Sequence, residues 1–286
     1  MTIEVKESHV PSWPRFVEFV TKLEGRWHFR GCLGHHRLES TLERAVSTDW
    51  GLPSAELPEI ERRLLREFKR AFPPTADVDL PDREADLDWL ALMQHHGAPT
   101  RLLDCTYSPY IAAFFALEML LKSRPDKNFS AAVWAISLEP ISNTVIKNMI
   151  PAGELRTHFE NIGRLREGPS FRKVFLQAKP PLRFVTPINP YRLNERLIVQ
   201  QGLFLCAGDV SQPFEANLEA VPRATDPSNL KKIVLPRSVL GEAFRGLRQM
   251  NISAASLFPG IDGFARSLDH NIDFLRSLDL FEGTEY

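Results

Sequence analysis

The chain has 286 residues, 35 Lys and Arg against 36 Asp and Glu, a formal net charge of −1 and 43% hydrophobic residues. That length buries a sizeable core without metal or disulfide staples, and the even charge balance excludes a protein that holds nucleic acid mainly by long-range charge. Three scattered cysteines, Cys32, Cys105 and Cys206, form no CxxC pair and no disulfide framework, which fits a reducing compartment.

The opening residues MTIEVKESHV carry no apolar run of the signal-peptide kind. The longest apolar stretch, Tyr110 to Leu121, is broken by Glu118 and is too short to span a bilayer. Both features predict a soluble, cytoplasmic protein without membrane association. Ser12 and Pro14 open an amphipathic helix carrying Phe16, Val17, Val20 and Leu23, ended by Gly25. A short strand, Trp27 to Arg30, follows. A second helix over 58–71 stops at Pro73-Pro74, and 73–82 reads as a polar loop. A third runs from near Asp82 to Gly97.

Thr100 to Asp104 is extended, since Pro99 biases Ala98 away from helix. Ser108-Pro109 opens a helix that is apolar on nearly every side and therefore buried. Strands are expected at Ala132–Leu138, Leu182–Thr186, Leu203–Cys206 and Lys232–Leu235, with a helix from Asn189-Pro190 to Gln200. Their irregular interleaving with helices predicts an α+β fold, a single mixed domain over residues 1–286 with a small sheet surrounded by helices. The basic, weakly periodic stretch 141–179 is the candidate mobile insertion.

The stretch from Gln94 to Pro109, QHHGAPTRLLDCTYSP, places two imidazoles, a guanidinium, a carboxylate and several hydroxyls between two buried helices. Two readings stand. It is a site for an anionic ligand beside unpaired helix N–H groups, or it is structural, with Asp104 and Arg101 as an internal ion pair and Ser108 as a helix cap. His35-His36 and His95-His96 make no two-ligand face, because adjacent side chains on a regular element point apart, so no metal is expected. Arg30 reads as the end of an aromatic strand with a flexible glycine behind it. Glu195-Arg196 to Gln200-Gln201-Gly202 reads as a helix end turning into a strand.

At these residues the sequence resembles the FRG domain family, named for the Phe-Arg-Gly that stands here as Phe29-Arg30-Gly31. The resemblance takes in the stretch 94–109, QQGLF (200–204) and LFPGIDG (257–263), and covers about residues 20–265. Ala98 and Cys105 depart from the usual pattern, and both are packing positions. The family's motif order is similar to that of ADP-ribosyltransferases. This implies an ADP-ribosyltransferase-like fold with Arg30 as phosphate or ribose clamp and Thr106 and Ser108 as hydroxyl element. Gln201 stands where a catalytic glutamate belongs. Glutamine lacks the charge to stabilise an oxocarbenium, so Asp104 or Glu195 must supply it. Arg30, His95, Arg101, Thr106 and Gln201 are expected to line one pocket.

The resemblance thus implies a cleft for NAD or a related nucleotide-type small molecule. The chemistry would be ADP-ribosyl transfer to a protein or nucleic-acid acceptor, or N-glycosidic cleavage, in a bacterial defence or toxin effector. The alternatives are a non-catalytic module sensing a nucleotide or phage signal, and an interaction domain in which the motif is a rigid core element. A nuclease ranks last, since no metal-carboxylate cluster is visible in the sequence.

Overall fold

Ser12 and Pro14 start the first helix, α1 (Trp13–Thr21), where the N–H that proline lacks would in any case have no partner in the helix. It buries Trp13, Phe16 and Val20, three residues at helical spacing. The structure, a computed structural model, describes residues 3–71, 80–124, 128–138, 150, 153–159, 165–190 and 195–277. Most of the expected loop at 73–82 and parts of the candidate insertion, 141–149, 151–152 and 160–164, lie outside the described residues.

The described residues form one α+β fold around a seven-stranded sheet, larger than the small sheet expected. The strands are β1 (Glu7–His9), β2 (His28–Leu33), β3 (Leu102–Thr106), β4 (Ala131–Ile136), β5 (Val185–Ile188), β6 (Gly202–Ala207) and β7 (Leu230–Leu235). Their order is β1-β7-β4-β2-β3-β6-β5. Only β1 against β7 is parallel. The helices after α1 are α2 (Thr41–Glu43), α3 (Leu57–Ala71), α4 (Asp86–His95), α5 (Pro109–Lys122), α6 (Glu154–Thr157) and α7 (Gly168–Phe171). Then come α8 (Glu195–Val199), α9 (Phe214–Glu219), α10 (Leu240–Gln249), α11 (Ala254–Leu257) and α12 (Ile261–Ser277).

Side-chain alternation divides the core between the two faces of the sheet. On one face Phe29, Val133, Ala135 and Ile233 pack with α1, α5 and α10. On the other, Cys32, Trp134 and Leu103 pack with α4 and with Phe171, Val174 and Phe175. The described part of the candidate insertion, α7 and the π-helical turn after it (Arg172–Leu176), is therefore part of this core.

Glycine at position 31 is required for packing. A Cβ there would lie 1.8 Å from the Ala112 carbonyl oxygen and 2.8 Å from the Ala116 nitrogen, so only a glycine lets β2 lie this close to α5. Strand β2 also runs on to Leu33, so Arg30 is a mid-strand residue with a close-packed glycine after it, not a strand end with a flexible one.

Glu43 ends α2, and its Oε2 accepts a hydrogen bond from the Phe214 N–H at 3.0 Å. Burial pushes its carboxyl up to about 6, and the nearby Glu39 and Glu215 add to the rise. A carboxyl raised on folding favours the native state at low pH. That contribution is whole below 4.5, the ordinary value, and is lost as pH climbs through about 6. Glu43→Gln keeps an acceptor for Phe214 and carries no charge. It is expected to match wild type in thermal unfolding near pH 4.5 and to exceed it by about 2 kcal/mol at pH 8. Equal stability of the two proteins at both pH values would show that Glu43 is not held this way.

Candidate functional site

The sheet opens between β2 and β3. These strands pair only at Phe29↔Thr106, whereas β2 pairs with β4, and β3 with β6, along their lengths. A continued ladder would set Gly31 opposite Asp104. Instead Arg30 Nη1 donates to the Asp104 carbonyl oxygen at 2.8 Å, satisfying an acceptor that the missing ladder leaves open.

A cavity of about 210 Å³ fills the opening. Phe29, Arg30 and Gly31 form one wall, and Asp104, Cys105 and Thr106 with Gly202 and Phe204 form another. Ala112, Phe115 and Met119 of α5 give an apolar side. Ala91, Gln94 and His95 of α4 and Arg196, Leu197 and Gln200 at α8 close the rest. The volume is below the roughly 300–1,000 Å³ of drug-sized pockets, enough for one ring and part of a sugar.

Among the described residues, Asp104 is the only carboxylate in this lining. Its Oδ2 accepts from Gln94 Nε2 at 2.6 Å. The amide of Gln94 is held in turn, its Oε1 accepting from Thr100 Oγ1 at 2.6 Å and Thr41 Oγ1 at 3.2 Å. Two hydroxyls thus fix which end of the amide faces Asp104 and thereby orient the carboxylate. Positive charge comes from Arg30 and Arg196, the latter lying over the Phe258 ring at 5.1 Å. Burial, then His96 and Arg196, hold His95 below the usual histidine range, so its ring is neutral at neutral pH.

The expected single pocket is thus assembled in part. Arg30, His95, Asp104 and Thr106 line it; Arg101, Ser108, Glu195 and Gln201 do not. Thr106 Oγ1 donates to the Gln200 carbonyl at 2.8 Å and accepts from the Ser108 N–H at 3.1 Å, so its proton is committed to joining β3 to the α8–β6 turn. Ser108 Oγ accepts from the Ile111 N–H, capping α5. Gln201 is exposed in a left-handed turn at φ 46°, and its neighbour Gln200 faces the cavity instead. Glu195 is exposed at the start of α8.

The expected pairing of Asp104 with Arg101 is absent. They stand three positions apart in an extended segment, which sends their side chains to opposite faces. Asp104 is exposed, while Arg101 is buried and pairs with Glu61, Nε donating to Oε1 at 2.7 Å and Nη2 to Oε2. Arg101 borders a separate cavity of about 580 Å³ with Glu61 and Asp209. There Asp209 Oδ1 already accepts from the Ser211 N–H and Oγ, and Arg101 is already paired with Glu61.

The adjacent histidines meet instead of pointing apart. Their rings are 4.5 Å apart at His35-His36 and 5.0 Å at His95-His96, edge to face, because each pair sits at a turn or helix end where regular alternation fails. Among the described residues no group of three or more His, Cys, Asp or Glu is placed to hold a metal ion. Sequence reasoning places Arg196 and Gln200 only at a helix end and assigns them no site role, although their spacing of four puts them on one side of a helical turn. It likewise misses the orienting role of Gln94.

The α+β fold and the cavity in its split sheet can now be set beside known proteins. Residues 25–124 match the family model of the FRG domain. That span holds β2, α4, β3 and α5 of the cavity; α8 and β6 lie beyond it. No curated protein and no solved structure matches the chain. No helix among the described residues is long and apolar enough to cross a membrane.

Proposed function

We propose that the cavity takes the nicotinamide-ribose end of NAD and that the protein cleaves its N-glycosidic bond. The observation that carries this reading is Asp104, a lone carboxylate oriented by Gln94 and set among Phe29, Phe115 and Phe204. The apolar rings suit a flat heterocycle. The guanidiniums of Arg30 and Arg196 suit a pyrophosphate, and the volume suits the nicotinamide ring and part of its ribose with the rest outside.

In the step proposed, the bond between the ribose anomeric carbon and the nicotinamide nitrogen breaks. Both electrons leave with nicotinamide, which becomes neutral. The positive charge left on the ribose is stabilised by Asp104. A water oxygen, or a hydroxyl or other nucleophile of a protein or nucleic-acid acceptor, bonds to that carbon. Its proton passes to Asp104 and on to solvent. A second reading, sensing without turnover, is favoured by one observation: Asp104 is exposed, so solvent weakens the charge stabilisation that cleavage requires.

The test is calorimetric binding of NAD together with nicotinamide release. Asp104→Asn, which keeps the hydrogen bonding shape, is expected to bind NAD while slowing release by about 100-fold or more. Arg196→Ala is expected to weaken binding by about 10-fold or more, through loss of a charge-assisted contact. Arg196 is the better probe than Arg30, whose removal also unpins β3. Binding without release by the wild type selects the sensing reading. No binding of NAD or ADP-ribose removes the nucleotide reading altogether.

A further inference from the structure

Helix α12 is amphipathic in reverse. Its small residues Gly263 and Ser267 are buried, and a Cβ at Gly263 would lie 1.7 Å from the Phe258 carbonyl oxygen, so this is the face laid against the rest of the chain. Arg266, on the flank, pairs with Glu118 through Nε and Nη2 and stacks over Phe258 at 4.3 Å. Among the described side chains of the helix, the large apolar ones face the other way. Ile261, Phe264, Leu268 and Ile272 are 82%, 59%, 48% and 57% exposed. At 3.6 residues per turn these four fall within an arc of about 80°, a continuous stripe along the helix.

We propose that this outward stripe is a dimerisation surface whose occupant is a second copy of the chain, docked antiparallel about a two-fold axis. Two observations favour a second copy. The first is area: at the roughly 150–250 Å² that a large side chain presents, the four exposures leave about 400–600 Å² of apolar surface on each copy. Two copies together present about 800–1,200 Å² from these residues alone, around the roughly 1,000 Å² that a specific interface needs.

The second is spacing. The intervals along the stripe are nearly the same read in either direction, so an antiparallel pair sets Ile261 against Ile272 and Phe264 against Leu268. A two-fold contact requires such self-complementarity. In the same alignment Asp262 falls across from position 270 or 271 and Asp269 across from position 263 or 264, so no two carboxylates oppose one another.

The test is sedimentation of the full chain from about 1 to about 200 µM. Wild type is expected to be a dimer at the upper end. Phe264→Asp combined with Leu268→Asp is expected to weaken association by about 100-fold or more, with an unchanged circular dichroism spectrum. Orientation is read by cysteine cross-linking. Ile261→Cys mixed with Ile272→Cys should form a disulfide-linked pair, and Ile261→Cys alone should not. This second readout also stands if the double variant fails to fold. A monomeric wild type at about 200 µM, a dimer that survives the double substitution, or self-linking of Ile261→Cys overturns the proposal.

Discussion

Glu61→Ala is expected to cost about 3–5 kcal/mol of stability, the range found when one partner of a buried ion pair is removed. Arg101 is 2% exposed, and its guanidinium is divided between Glu61 and the Ala207 and Gly208 carbonyls, to which Nη1 donates at 3.2 and 3.3 Å. Burial disfavours its charge, and Glu61 more than restores it, so its pKa is raised. Without Glu61 the charge stays in the core with only the more weakly acting Asp209 carboxylate to oppose it. Glu61→Leu combined with Arg101→Met should recover part of the loss, but not all of it, since the two carbonyls lose their donor. Chemical denaturation of the single and double variants decides. A single variant within about 1 kcal/mol of wild type would show that the pair is not buried as described.

Gly31→Val is expected to exceed about 4 kcal/mol of destabilisation or to abolish soluble expression. The atoms in the way belong to the backbone of α5, which cannot rotate aside as a side chain can. Gly97→Ala is the control. Gly97 has φ +80° with nothing within 4 Å of an added Cβ, so only backbone strain of roughly 1–2 kcal/mol is expected. Comparable melting of the two variants would mean that the glycine of the Phe-Arg-Gly motif serves conformation and not close approach.

Several parts of this fold are legible in the sequence because local and tertiary forces agree there. Ser108-Pro109 starts α5 where its cap and proline say, and Gly202 to Ala207 forms a strand on its apolar run. Strand β1 is not legible. Its three residues, Glu-Ser-His, are polar, and they are extended because β7 pairs with them, Glu7 opposite Lys232. Helix α12 escapes for the opposite reason, since Ile261, Phe264, Leu268 and Ile272 face outward.

At the site, the position of Asp104 was within reach. An odd separation from Arg101 in an extended stretch already places the two on opposite faces. The true partner also left a trace. Glu61 stands four residues from both Leu57 and Leu65, inside the buried stripe of α3, where an acid needs a buried cation. The split between β2 and β3 left none, because strand pairing across more than seventy residues depends on which elements pack above the sheet, and no local pattern encodes it.

The most direct measurement is a crystal structure of the protein soaked with NAD. The nicotinamide ring is expected between Phe29, Phe115 and Phe204, with the ribose beside Asp104 and the pyrophosphate within reach of Arg30 and Arg196. Nicotinamide missing from the cavity while ADP-ribose remains would show cleavage in the crystal. Ligand density elsewhere on the molecule, or an empty cavity at saturating NAD, would contradict the assignment of the split sheet as the site.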